Sequence, residues 1–401
     1  MNEEPLALSA VTATTALGVG LAPLLAALRA GKSGLRPCDF EHCELPTWIG
    51  RVPDVEAVAL PQALAHYDCR NNRLALLGLQ ADGFLDAARA AIVRHGAERV
   101  ALILGTSTSG ILSAELAYRA RDVHGALPAW FDYRASHNTA SVVAFVRELL
   151  GLRGPAFAVS TACSSSAKAF AAAARLLATG MADAAIVGGV DSLCSTTLYG
   201  FTSLELTAPT PCRPCDANRQ GLSIGEAAAF ALLERAEDAA GAIVLSGWGE
   251  SSDAHHMSAP HPQGLGSCAA MRQALARAAL LAPRAIGYVN LHGTATRVND
   301  SVEGAAVATV LGGEVPCSST KGMTGHTLGA AGAVEAVICA LALEHGLLPA
   351  SVGTRQPDSA LGLSIVMTPQ PAPGLRHALS NSFGFGGSNC SLVFSRREQR
   401  A

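Results

Sequence analysis

The chain has 401 residues, of which 49% are hydrophobic, 29 are Lys or Arg and 32 are Asp or Glu. This apolar content is enough for a large buried core, which excludes an intrinsically disordered chain. The formal net charge of −3, with no basic excess, argues against a nucleic-acid-binding protein. The eleven cysteines are odd in number and scattered, a pattern typical of reduced thiols in a cytoplasmic protein.

The N-terminal region carries no charged residue between positions 5 and 28. Its threonines, glycines and proline, together with the acidic residues before it, argue against both a membrane span and a signal peptide. We predict a strand at 6–12, a glycine-bearing loop at 14–20 and a helix at 21–29 that ends at Gly31. The sequence therefore predicts no membrane span and a cytoplasmic location.

Apolar strand-like runs then alternate with alanine-rich helical runs along the chain. This alternation predicts an α/β fold in which both faces of the strands are covered. The Cys212-x-x-Cys215 unit lies in a proline-rich loop without a second pair of metal ligands, so we expect it to be structural. The predicted strands are 100–104, 156–160, 184–188, 228–233, 243–247, 285–291, 379–382 and 391–394, and the predicted helices are 167–179, 300–311 and 329–344.

The segment V-S-T-A-C-S-S-S-A at 159–167 places Cys163 between a predicted strand and a predicted helix. A thiol at a helix N-terminus lies near the positive end of the helix dipole and near free backbone N–H groups, which favours the nucleophilic thiolate. A single cysteine in this chain is more often a small core residue. The polar serines that follow it favour the nucleophile here.

Two histidines lie where predicted elements begin or end. His292 follows a strand in N-L-H-G-T-A-T (290–296), and His326 precedes a helix in S-S-T-K-G-M-T-G-H-T-L-G-A-A-G (318–332). Either one alone could be a structural histidine, but both together with a reactive cysteine indicate a catalytic site. The glycine-rich N-S-F-G-F-G-G-S-N (381–389) does not open a helix, so it does not indicate a dinucleotide site.

These four segments, in this order, resemble the β-ketoacyl-acyl carrier protein synthases of the elongating group, within the thiolase superfamily. The matching motifs are T-A-C-S, H-G-T-x-T, K-x-x-T-G-H-x-x-G-A-A-G and N-S-F-G-F-G-G-x-N, and the resemblance spans nearly the whole chain. It implies a thiolase-like α-β-α-β-α layered fold with two pseudo-equivalent halves. The N-terminal half, 1–240, would carry the nucleophile, and the C-terminal half, 241–401, would carry the histidines.

The resemblance also implies a role for each matching residue. Cys163 would hold the acyl chain as a thioester, while His292 and His326 would promote decarboxylation of the malonyl thioester by stabilising the enolate oxygen. The remaining matches are Lys321 beside the second histidine, Glu303 as its acidic partner, Thr294 and Thr296 on the phosphopantetheine arm, Phe383 and Phe385 as a gate, and Thr108 near the distal acyl pocket.

Some of these residues have a simpler interpretation. Asp300 and Glu303 fit a helix capping box, so Glu303 could cap the helix instead of, or in addition to, pairing with Lys321. Lys321 could be a solvated loop lysine, and the two phenylalanines could belong to the core. The polar Thr108 speaks against an ordinary long saturated acyl chain.

The resulting hypothesis is decarboxylative Claisen condensation of an acyl chain on Cys163 with malonyl-acyl carrier protein, in fatty acid or in polyketide or aryl polyene biosynthesis. The alternatives are a thiolase-type acyltransferase, which would need a second cysteine as base, and a chain-length partner subunit, which would lack the nucleophile. The expected partner is acyl carrier protein, for which Arg70 and Arg73 are candidate docking residues. We expect a homodimer, or a heterodimer with a related subunit, and no bound cofactor or metal.

Overall fold

The computed structural model describes residues 4–41, 43–236, 243–280 and 282–397. Within these ranges the chain forms sixteen strands and eleven α-helices. The strands are β1 Leu6–Thr14, β2 Arg36–Pro37, β3 Trp48–Gly50, β4 Val100–Gly105, β5 Ala156–Val159, β6 Ala184–Asp191, β7 Ile224–Gly225, β8 Ala227–Arg235, β9 Ile243–Ser252, β10 Tyr288–Asn290, β11 Pro316–Ser318, β12 Leu347–Leu348, β13 Ser364–Ile365, β14 Gln370–Pro371, β15 His377–Gly384 and β16 Ser388–Arg396.

The helices are short and lie between these strands. They are α1 Leu21–Ala30, α2 Arg70–Gln80, α3 Phe84–His95, α4 Ile111–Arg119, α5 Ser141–Leu150, α6 Ser165–Ala178, α7 Ser195–Ser203, α8 Leu265–Arg277, α9 Arg297–Leu311, α10 Lys321–Thr324 and α11 Ala331–His345. Each main strand and helix predicted from the sequence is present, with ends that differ by a few residues.

One large sheet of eleven strands organises the chain, in the order β13-β11-β10-β15-β16-β9-β1-β8-β6-β4-β5. From β1 outward, the first pairings are antiparallel (β1–β8, β8–β6) and the next are parallel (β6–β4, β4–β5). From β9 outward the pattern repeats, with antiparallel β9–β16–β15 and parallel β15–β10–β11. The five strands from β1 to β5 in the sheet order and the five strands from β9 to β11 are therefore two topologically equivalent halves of the sheet, in which β5 corresponds to β11.

Helices α6 and α11 form the central layer, because each contacts strands from both halves of the sheet. They approach closely at Gly332, where a Cβ atom would lie 2.6 Å from the backbone nitrogen of Ala167. Separate apolar clusters lie under the outer helices α2, α3 and α5 on one side and under α8 and α9 on the other. This arrangement is the α-β-α-β-α layering expected from the sequence.

The predicted border between the halves, at 240/241, lies outside the described residues, so the two domain ranges stay a prediction. The N-terminal prediction is confirmed, since β1 is followed by α1, and Gly31 closes that helix in the left-handed conformation. One apolar helical stretch, Leu328–His345, is long enough to cross a membrane, but 89% of it is buried within the fold. It is therefore the central core helix.

Candidate active site

Cys163 lies in a tight junction between strand β5 and helix α6. The residue before it, Ala162, has a φ of 52°, a left-handed conformation that is costly for a residue with a Cβ atom. The hydroxyl of Ser165 holds this bend, because it accepts from the N–H of Thr161 at 2.9 Å and donates to the carbonyl of Ala162 at 2.5 Å. The bend directs the sulfur of Cys163 into a cavity at the edge of the sheet.

The environment of Cys163 favours the thiol over the thiolate. Burial raises the pKa of Cys163 to about 12, although the Lys321 ammonium and the backbone N–H of Phe385 both act in the opposite direction. The expectation from the sequence that the helix tip would favour the thiolate is therefore wrong for the resting site. The loss of hydration outweighs the effects of Lys321 and of the Phe385 N–H because only 6% of this residue is exposed.

His326 is the imidazole that lies beside this thiol. Its Nε2 atom lies 3.0 Å from Sγ of Cys163, and its backbone is fixed between the Ser223 carbonyl and the Gly225 N–H. Burial, reinforced by the nearby Lys321 charge, holds the pKa of His326 well below its usual range, so the ring is neutral. Its Nδ1 atom has no hydrogen-bond partner among the described residues, so no neighbour fixes its tautomer.

His292 faces the same cavity and belongs, like His326, to the C-terminal half of the chain. Its ring centre lies 5.3 Å from that of His326, with the two planes at 84°. The Nζ atom of Lys321 is 3.5 Å from Nδ1 of His292, and Lys321 also makes a short ion pair with the buried Glu335. Because an ammonium can only donate, Nδ1 accepts and the neutral ring carries its proton on Nε2, towards the cavity.

The acidic partner of Lys321 is Glu335, which the sequence analysis did not identify, and not Glu303. The carboxylate of Glu303 instead accepts from the backbone N–H groups of His292 and Gly293, at 2.8 Å each. The capping-box interpretation is also wrong, because helix α9 begins at Arg297 and Glu303 lies in its interior. Glu303 therefore holds the backbone of the His292 loop.

The glycine-rich turn between β15 and β16 covers the sulfur. Phe385 directs its backbone N–H towards Cys163, and its ring stacks on Phe201 at 5.7 Å between centroids. Phe383 packs near the ring of His292, at 6.1 Å between centroids. Gly384 has to be a glycine, because a Cβ atom there would lie 2.8 Å from the carbonyl oxygen of Thr161.

A cavity of about 420 Å³ connects these side chains to the surface. The predicted residues that line it are Cys163, His292, His326, Thr294, Thr296, Phe383 and Phe385. The hydroxyls of Thr294 and Thr296 lie 2.9 Å apart on its wall. The structure thus places the sulfur, the two imidazoles and a polar-walled entrance in one space.

Three other predicted residues lie elsewhere. Thr108 is buried, and its hydroxyl donates to Asp191 at 2.9 Å; it does not line this cavity, so its part in an acyl pocket stays a prediction. Arg70 is a buried partner of Glu226, and Arg73 pairs with Asp68, so their charges are already neutralised. Burial speaks against carrier-protein docking by Arg70, whereas Arg73 is partly exposed and its docking role stays a prediction.

The ligand atoms of Cys163, His292 and His326 lie within 4.8 Å of one another, a set that could hold a metal ion. A zinc ion would need a lone pair on each imidazole and a thiolate. The Lys321 ammonium opposes this, because it leaves the proton of His292 on Nε2 and adds a positive charge beside the site. This environment suits hydrogen-bond donation better than metal binding.

Comparison with known proteins agrees with this arrangement. The family model described as "Beta-ketoacyl synthase, N-terminal domain" matches residues 3–239, and the corresponding C-terminal domain matches residues 242–355. The chain is 32% identical over 394 residues to 3-oxoacyl-[acyl-carrier-protein] synthase 2 of Vibrio cholerae, covering 92% of this chain and 94% of that protein. It is 39% identical over 264 residues to the mitochondrial synthase of Arabidopsis thaliana, a match that covers 61% of this chain and 57% of the plant protein.

Solved structures show the same fold over the whole length. A ketosynthase (ApeO) in complex with its chain length factor (ApeC) from Xenorhabdus doucetiae is similar with a TM-score of 0.89 and 41% identity, covering 98% of each chain. A β-ketoacyl synthase from Burkholderia phymatum is similar with a TM-score of 0.85 and 27% identity, covering 98% of this chain.

Proposed function

Because this chain belongs to the β-ketoacyl synthase family, we propose that Cys163 carries the acyl group and that His292 and His326 act on both thioester substrates. The chain is an acyltransferase that condenses an acyl group with malonyl-acyl carrier protein and releases CO₂. The observation that carries the assignment of residues is the 3.0 Å contact between Sγ of Cys163 and Nε2 of His326, with a second imidazole in the same cavity.

In the first half-reaction, the sulfur of Cys163 attacks the carbonyl carbon of the incoming acyl thioester. Its proton moves to Nε2 of His326 and then to the pantetheine thiolate that leaves, so the ring ends neutral. The backbone N–H groups of Cys163 and Phe385 stabilise the oxyanion. The products are an acyl-cysteine thioester and a free pantetheine thiol.

In the second half-reaction, the malonyl thioester loses CO₂ and becomes an enolate, whose carbon attacks the carbonyl carbon of the acyl-cysteine. The bond between that carbon and Sγ of Cys163 breaks, the β-ketoacyl thioester leaves on the carrier protein, and the released Cys163 thiolate takes up a proton from solvent. The enolate oxygen accepts from Nε2–H of His292, whose tautomer Lys321 sets. His326 also donates to the enolate oxygen, from the same Nε2 atom that accepted the thiol proton in the first half-reaction. This change is possible because Nδ1 has no partner among the described residues, so both tautomers of the ring are accessible. The two histidines thus differ: one is a fixed donor, and the other changes role between steps.

The acylation step is tested with Cys163→Ala and the matched control Cys69→Ala, which alters another buried cysteine. After incubation with an acyl-acyl carrier protein, intact-mass measurement should show an acyl adduct on the wild type and on the control only. An adduct on Cys163→Ala would exclude residue 163 as the acceptor.

The decarboxylation step is tested with His326→Ala and malonyl-acyl carrier protein. We expect CO₂ release to fall by at least roughly 10²-fold, the usual scale for the loss of one oxyanion donor. His345→Ala, at the exposed C-terminal end of helix α11, is the matched control. Unchanged CO₂ release in His326→Ala would remove this residue from the mechanism.

We propose that acyl carrier protein delivers the substrates in the cytoplasm, with the phosphopantetheine arm passing Thr294 and Thr296. Arg297 lies at the cavity entrance and presents a cation to the phosphate of that arm. Strand β5 is an edge of the large sheet and carries the exposed Phe157, which supports dimerisation. The likeness to a ketosynthase solved with its chain length factor favours a heterodimer in a polyketide pathway, to be tested by co-purification.

A further inference from the structure

Two thiols outside the active site lie in van der Waals contact. Cys38 and Cys43, in the loop between β2 and β3, have their sulfur atoms 3.7 Å apart. Cys38 is partly exposed and Cys43 is buried. Hydrogen bonds close the loop on both sides, from the N–H of Cys38 to the Thr47 carbonyl at 2.8 Å and from the N–H of Cys43 to the Phe40 carbonyl at 3.1 Å. The loop thus holds an accessible and a protected thiol side by side.

This loop packs against helix α7. Cys43 and Phe40 share an apolar cluster with Leu198. The N–H of Glu44 donates to the hydroxyl of Tyr199 at 3.2 Å, so the loop is also hydrogen-bonded to the helix. A change in the shape of the loop is therefore transmitted to α7.

The far end of α7 reaches the active site. Phe201 lines the cavity and stacks on Phe385, whose backbone N–H faces the sulfur of Cys163. A contiguous path of packed side chains thus joins the thiol pair to one of the proposed oxyanion donors.

We propose that Cys38 and Cys43 form a reversible disulfide, and that this bond slows acyl transfer to Cys163; the second part rests on the proposed function. With glutathione disulfide as oxidant, the Cys38 thiolate attacks one of its sulfurs and releases the first glutathione thiol. The sulfur of Cys43 then loses its proton, attacks Sγ of Cys38 and releases the second. Two protein thiols are oxidised, and one glutathione disulfide is reduced to two glutathiones.

The geometry and burial of the pair determine both the rate and the consequence of this reaction. A disulfide requires a sulfur–sulfur distance of about 2.05 Å, so the two sulfurs have to approach by well over 1 Å. Because Cys43 is packed against α7, part of this movement is passed to the helix. Burial and the neighbouring Cys38 raise the pKa of Cys43 to about 12, which makes the second step slow at neutral pH.

The test uses the full-length protein equilibrated in glutathione buffers that become progressively more oxidising. Free thiols are then alkylated, and digested peptides are analysed by mass spectrometry. We expect a cross-link between the Cys38 and Cys43 peptides, reversed by dithiothreitol. The acylation rate should fall by roughly 3- to 100-fold, since misplacing a positioning group by about 1 Å costs up to about 10²-fold.

The controls separate this proposal from the proposed function. Cys38→Ser should acylate as fast as the reduced wild type and keep that rate under oxidation, while Cys69→Ser should respond like the wild type. A stable glutathione adduct on Cys38 with Cys43 still free overturns the disulfide. A cross-link that leaves the acylation rate unchanged overturns the coupling to the active site. Failure of the reduced wild type to acylate counts against the proposed function alone.

Discussion

The reactivity of Cys163 towards a small neutral alkylating agent should rise steeply with pH. The raised pKa of about 12 means that at pH 8 only about one molecule in 10⁴ carries the thiolate. Alkylation by iodoacetamide should therefore be about a thousandfold slower than for a thiol with a pKa near 9. It should accelerate about tenfold with each pH step from 7 to 10, as measured by mass spectrometry of the Cys163 peptide.

Acyl transfer should behave differently because His326 removes the proton during the reaction. The pKa of His326 lies well below its usual range, so the ring is an available base throughout the neutral and alkaline range. We expect the rate of acylation to be nearly constant between pH 7 and 9. In His326→Ala, acylation should instead acquire the steep pH dependence of alkylation.

A different profile would refute this reasoning. An alkylation rate that is already high and constant between pH 6 and 8 would mean that Cys163 and His326 rest as a thiolate–imidazolium pair. The base role of His326 would also be wrong if His326→Ala lowered acylation without changing its pH dependence. Cys69→Ala, measured in parallel, shows whether the Cys163 signal is distorted by another buried thiol.

Three further predictions concern residues around the reacting groups. Glu303→Gln keeps one acceptor oxygen for three N–H donors, those of the His292 and Gly293 backbone and of the Asn381 amide, so it should destabilise the fold by roughly 1.5–3 kcal/mol in urea unfolding and slow CO₂ release more than acylation. Exposed Glu98→Gln is the control, and equal losses in both steps would contradict the link to His292. Arg297→Ala should raise KM for carrier-bound substrates but not for a short thioester that lacks the phosphate, and a change with both substrates would count against the phosphate contact. Gly332→Ala places a methyl group against helix α6, so it should lower the free energy of unfolding by about 1–3 kcal/mol and also slow acylation. In Gly200→Ala the added methyl group meets no atom within 4 Å, so stability and acylation rate should both stay unchanged.

The sequence was informative where chemistry depends on local pattern. The order of strands and helices, the strand-to-helix position of Cys163 and the loop positions of both histidines could all be predicted from runs of apolar residues and glycines. The proximity of Cys163 and His326 could not be predicted from local pattern, because the two residues are far apart in the chain. Only the sheet topology brings the ends of strands β5 and β11, which they follow, close together. The resemblance to a known family supplied that step.

Two features of the site depend on packing that no local motif shows. The pKa of Cys163 is raised mainly because the surrounding chain excludes water, and this outweighs the nearby Lys321 charge and the Phe385 N–H. Glu335 was missed because it lies within an apolar helix, 14 residues after Lys321. Its signal was present nonetheless: a single charged residue in the otherwise uncharged run 331–343 is costly to bury without a partner.

The equivalence of the two halves explains why one site unites all these groups. Cys163 follows β5 and His326 follows β11, and these strands occupy corresponding positions in the sheet. The helices that begin beyond them, α6 and α11, pack together at Gly332, so both junctions are held at the same end of the central layer. The junction after β11 presents an imidazole to the site, and the corresponding junction after β5 presents a thiol. Two corresponding turns of the sheet thus place the proposed nucleophile beside its proposed base.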